Sequence, residues 1–161
     1  RSRLFSFNPL MDTALLKEGY DYDSSLRAAT VLTHFPYLLP RNQVMLRESN
    51  ILELAMTFQD SGKDEGVHFQ GAIISTLKKI SAYEGMFIWS LTPTVEPVKK
   101  AILRSVLDER PAGLWTGTLG DASRFWRARS NTRFWFNASD RKVTLHLSLP
   151  AYQGAPLSLA A

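Results

Sequence analysis

Residues 143–149 read Val-Thr-Leu-His-Leu-Ser-Leu, an unbroken alternation of apolar and polar side chains. Successive side chains of a β-strand point to opposite faces, so this run gives a strand with one apolar face and one polar face. Residues 132–137, Thr-Arg-Phe-Trp-Phe-Asn, form a second strand-like run rich in aromatic side chains. The intervening Ala138-Ser139-Asp140-Arg141 suits a four-residue hairpin loop.

That loop sets a register. Asn137 faces Lys142, Phe136 faces Val143, Trp135 faces Thr144, Phe134 faces Leu145 and Arg133 faces His146. Phe134, Phe136, Val143 and Leu145 then share one face and are expected to form a core. Arg133, Trp135, Asn137, Lys142, Thr144 and His146 share the other. A slip of one residue would mix the two sets, so the pattern resists it.

Charge singles out the same part of the chain. Residues 1–109 hold twelve Lys and Arg against thirteen Asp and Glu, whereas residues 110–161 hold seven against two. The whole net charge of +4 therefore belongs to the last third, where it is interleaved with Trp115, Phe125, Trp126, Phe134, Trp135 and Phe136. A positive field with flat apolar groups embedded in it suits an anionic partner that stacks. Trp135 can stack on a base, Arg133 and Lys142 can meet phosphates, and His146 adds a donor. Just upstream, Gly120-Asp121 opens a short predicted helix bearing Arg124, Phe125, Trp126, Arg127 and Arg129, with Phe125 and Arg129 on one face.

These patterns point to a non-enzymatic nucleic-acid-binding domain that favours RNA or single strands. Its binding set is Arg124, Arg127, Arg129, Arg133, Trp135, Arg141, Lys142 and His146. The alternative is an assembly or scaffold module of capsid or matrix type that self-associates or whose basic face meets an acidic partner or an anionic membrane surface. The structural account competing with both has Trp135 packed beneath a helix and Arg133 neutralised by a carboxylate.

Catalytic and metal motifs are lacking in the sequence. His34, His68 and His146 show no zinc spacing. Asp21 and Asp23 read as solvated or helix-capping carboxylates. Ser61-Gly62-Lys63 lacks the upstream glycine and following hydroxyl of a phosphate-binding loop. No cofactor is expected. An enzyme acting on an anionic substrate is the third reading and requires a pocket that joins one histidine to one carboxylate.

The remaining chain predicts an α+β (mixed α/β) domain, helices packed on a small sheet that ends in the C-terminal hairpin. One domain over residues 1–150 and a flexible tail over 151–161 are expected. Helices are predicted from Asn8-Pro9 to Lys17, from Asp23 or Ser24 to His34, from Ser49 or Asn50 to Phe58, over residues 68–84, and from Thr92-Pro93-Thr94 to Pro111. Strands are predicted over residues 43–47 and 86–91. Tyr37-Leu38-Leu39, bracketed by Pro36 and Pro40, reads as an irregular loop, and residues 60–66 as a polar surface loop. Asn137-Ala138-Ser139 matches a glycosylation acceptor and reads as a turn. The chain has no cysteine, no run approaching the roughly 20 apolar residues of a membrane span, and an N-terminus without a signal-peptide core. This predicts a reducing, cytoplasmic setting.

Overall fold

Residues 51–56 are buried without a break, and the first part of the fold is built around them. A run covered on both faces suits an interior strand. It forms the end of β3 (Val44–Glu53) and the extended chain beyond it. The computed structural model describes residues 11–41, 44–59, 67–91, 97–139 and 142–149. The predicted loop 60–66 and tail 151–161 lie outside the described residues. The chain divides into two compact units, Arg1–Trp115 and Thr116–Ala161.

In the first unit, β3 pairs antiparallel with β2 (Tyr37–Arg41) and parallel with β1 (Tyr22–Asp23), giving the order β1-β3-β2. Helix α1 (Met11–Lys17) packs on β2 and β3. It ends as expected at Gly19, whose φ of +78° is open to a residue without Cβ. The Gly19 and Tyr20 N–H groups donate back to the Leu16 and Leu15 carbonyls at 3.1 and 2.9 Å, which satisfies the last turn.

A second layer follows. Strand β4 (Phe58–Gln59) pairs parallel with β5 (Trp89–Ser90), and α2 (Val67–Ser81) lies between them in the chain, as a parallel connection requires. Ile73, Ile74 and Leu77 of α2 meet Ile102 and Val106 of α3 (Pro97–Asp108) in a core flanked by Phe58, Phe87, Trp89 and Leu114. Each such side chain, fully buried, contributes roughly 1.5–3 kcal/mol. Gln70 Nε2 donates to Ser105 Oγ at 2.6 Å and links the same two helices.

Four sequence expectations fail here for identifiable reasons. Residues 24–34 are not a helix: the chain runs extended, bridges Arg27 to Met56, and makes only a 3-10 turn over Val31–His34. Thr33 Oγ1 accepts the Ala29 and Thr30 N–H groups and donates to the Thr30 carbonyl, the local competition by which hydroxyls displace a helix. Residues 50–58 are strand and extended chain rather than helix, because burial on both faces mimics helical spacing. Residues 37–39 form β2 rather than a loop; Pro40 lies at a register shift of that strand, where a missing N–H is tolerated. The predicted strand 86–91 shrinks to two residues and is only half-buried.

Helix α2 ends at Ser81, three residues short of the predicted end at residue 84, and a turn over residues 82–84 follows. Glu84 takes the left-handed conformation with φ 60°, while the Gly85 N–H donates to the Ile80 carbonyl at 3.1 Å. A Cβ on Gly85 would meet Tyr83 Cε2 at 2.5 Å and displace that ring, so close approach, not φ, favours glycine here.

The second unit comprises α4 (Leu119–Asn131), β6 (Arg133–Ser139) and β7 (Lys142–Ser148), with β6 and β7 antiparallel. The architecture is α+β, with small sheets and a C-terminal hairpin.

Candidate nucleic-acid interface

The division of the chain sharpens the charge asymmetry. Thr116–Ala161 holds six Lys and Arg against two Asp, and Arg1–Trp115 holds thirteen against thirteen Asp and Glu. The second unit therefore carries the entire +4.

Its helix is anchored at its start. Thr118 Oγ1 accepts the Asp121 N–H at 3.2 Å, and Asp121 Oδ2 accepts the Thr118 N–H at 3.1 Å, a reciprocal cap. The Thr118 hydroxyl, which donates to Asp121 Oδ2 at 2.7 Å, and then the Thr118 N–H, helped by the Arg124 guanidinium, hold the Asp121 carboxyl below its usual range. Arg124 is thus already paired with the protein's own acid. Arg129 lies over the Trp126 ring, 4.7 Å from its centroid. Phe125 and Arg129 remain four residues apart on this helix, and Arg129 also makes this i,i+3 contact. Phe125, Trp126 and Arg127 are half-buried, and Ala122, Ser123 and Ala128 form the buried side of the helix. Thr132 then turns extended, its Oγ1 donating to the Ala128 carbonyl at 2.9 Å, and β6 begins at once.

The hairpin register differs from the expected one by two residues. Ser139 pairs with Lys142, Asn137 with Thr144, Trp135 with His146 and Arg133 with Ser148. The loop is therefore Asp140-Arg141, and Arg141, a predicted binding residue, lies outside the described residues. A shift of two conserves the pleat, so both predicted faces survive intact. The expected core face does not: Phe134, Phe136, Val143 and Leu145 are 68, 67, 71 and 54% exposed.

On the opposite face, Trp135 stacks against His146 with centroids 5.1 Å apart and planes 3° apart. The Asn137 side-chain amide reaches His146 Nε2 at 3.3 Å. Trp135 remains 51% exposed, so it is not sealed beneath a helix. Arg133 and Lys142 are exposed and have no acidic partner among the described residues. The structure thus brings Arg133, Trp135, Lys142 and His146 onto one face, and puts Arg124, Arg127 and Arg129 on the adjoining helix of the same unit.

A different group, missed in the sequence, lies in the first unit. Asp23, Glu53 and Tyr37 occupy one row across β1, β3 and β2. Glu53 is fully buried and Asp23 nearly so. Glu53 Oε1 accepts the Leu26 N–H at 3.0 Å, and Ser25 Oγ donates to Asp23 Oδ1 at 2.9 Å. Burial, opposed by the Leu26 N–H and reinforced by the Asp23 charge, pushes the Glu53 carboxyl up to about 7. Burial, then Glu53, raises the Tyr37 phenol to about 12. The signal was a lone acid inside the apolar run Ile-Leu-Glu-Leu-Ala-Met. Asp23 and Glu53, sealed from solvent beside the half-buried Tyr37, act as a clasp between β3 and the turn after β1.

His34 meets Tyr83 edge-on at 5.9 Å, and neither His34 nor His146 forms an ion pair among the described residues. No group of three or more potential metal ligands occurs among those residues. No described helix is long and apolar enough to cross a membrane. No family model, curated protein or solved structure matches the chain.

Proposed function

We propose that the Thr116–Ala161 unit binds single-stranded nucleic acid on the outer face of its hairpin and performs no chemistry on it. One observation carries this reading: a half-exposed indole, held flat by a parallel, stacked imidazole, shares a face with two exposed cations that have no acidic partner among the described residues. Stacking tolerates any base, and the cations supply sequence-independent attraction. From the Arg133 row to the Lys142 row the hairpin runs six residues, about 20 Å at strand rise. That length accommodates several backbone phosphates. Arg127 and Arg129 add to the field, Arg124 is discounted by its pairing with Asp121, and Arg141, outside the described residues, counts in the set by its charge alone. A reducing, cytoplasmic setting suits this role, since a cysteine-free chain needs nothing from an oxidising one.

The test is a fluorescence-anisotropy titration of labelled single-stranded RNA and DNA at low salt, with vesicles of anionic and of zwitterionic lipid run in parallel. Saturable binding to an oligonucleotide is expected. Binding to anionic vesicles with none to oligonucleotides would replace this reading with the membrane-surface alternative, and binding to neither would remove both.

A further inference from the structure

Among the described residues of the Thr116–Ala161 unit, none covers the apolar face of the hairpin. Phe134, Phe136, Val143, Leu145, Leu147 and Leu149 are 41–71% exposed. Cross-strand pairing aligns Phe134 with Leu147, Phe136 with Leu145 and Ala138 with Val143, so the patch is continuous along the ribbon. A two-stranded ribbon is marginal alone, and a contiguous apolar patch of this kind marks an interface. We infer that this face is the contact surface of a two-fold homodimer, in which the hairpins of two copies pack face to face.

Charge selects the occupant. This face carries no ionisable side chain, whereas Arg133 and Lys142 lie on the other. Two copies of a unit with net charge +4 can therefore meet here without desolvating a cation or opposing like charges. A meeting through the opposite face would set Arg133 and Lys142 against their own copies. An acidic partner has nothing to pair with on the apolar side. Area agrees. With exposed fractions of this size on large apolar side chains, each copy offers on the order of 600 Å², or about 1,200 Å² for the pair. That is the lower end of the range for specific interfaces. In an isologous contact the central Phe136–Leu145 pair lies near the two-fold axis. The two sheets then stack about 10 Å apart and turn both cationic faces outward. The inference rests only on the apolar face and stands whatever the outer face binds.

The absence of cysteine gives a clean test. Sedimentation equilibrium of the nuclease-treated full chain, over two orders of magnitude in concentration, should show a monomer–dimer equilibrium. Phe136→Asp with Leu145→Asp should weaken it at least tenfold; both sites are exposed, and circular dichroism checks that the fold is kept. Independently, Leu145→Cys should crosslink to its copy with a short bismaleimide, and Ser139→Cys on the other face should not. A monomer throughout the range overturns the proposal and assigns the face to cover within one chain or to a different protein. Crosslinking from position 139 as efficient as from 145 also overturns it.

Discussion

Trp135 and His146 sit directly opposite one another on β6 and β7, and their rings lie parallel to within 3° at a centroid separation of 5.1 Å. The imidazole thus fixes the plane of the indole without sealing it. A double-mutant cycle with Trp135→Ala and His146→Ala should give a coupling of about 0.5–1 kcal/mol in hairpin stability. A coupling near zero would mean that the rings are adjacent but do not support each other.

Glu53 should make stability depend on pH. Its folded value of about 7 stands above its ordinary 4.5. Between those values the folded state binds more protons than the unfolded one, so stability falls as pH rises through the window. The penalty is fully present above about pH 7 and vanishes below about 4.5. Glu53→Gln keeps an acceptor for the Leu26 N–H and removes the charge. It should stabilise the protein at pH 8 by up to about 3 kcal/mol and have little effect at pH 4. Urea denaturation of both proteins at the two pH values reads this directly. An equal effect at both would assign Glu53 a packing role only.

Glu84 holds a left-handed backbone, with φ 60°, at the end of α2. Side chains with a Cβ are strained there, and the residue is exposed. Glu84→Gly should raise stability by up to about 1 kcal/mol, seen as a higher urea midpoint at constant slope. A loss of stability would show that the Glu84 side chain contributes more than its strain costs.

The hairpin was the most legible part of the chain because a period of two separates its faces without help from tertiary context. Its register was not, since two-residue and four-residue loops give the same facial sets. Nor was the fate of the apolar face, because alternation shows that a face is apolar and not that anything covers it. The segments 24–34 and 50–58 misled for opposite reasons. In the first, Ser25 and Thr33 divert their hydroxyls into local bonds that end a helix before it starts. In the second, Leu52 and Leu54 flank a buried acid on a strand covered on both sides, and spacing alone does not distinguish that from a helix. Glu53 draws its meaning from Leu26, 27 residues away, a relation that no local pattern carries. Within the candidate interface, Arg133, Trp135, Lys142 and His146 were readable as one face, whereas the pairing of Arg124 with Asp121 needed the helix cap to be seen.

The salt dependence of oligonucleotide binding, compared across three proteins, tests the central claim most directly. For the native chain, log affinity should fall linearly with log salt. Arg133→Ala with Lys142→Ala should reduce the steepness of that line by about 1.4, two contacts at roughly 0.7 each for single strands. Trp135→Ala should weaken binding by about 1–3 kcal/mol, the contribution of one stacked base, and leave the slope unchanged. No affinity at low salt, or a slope indifferent to the loss of Arg133 and Lys142, would contradict the account.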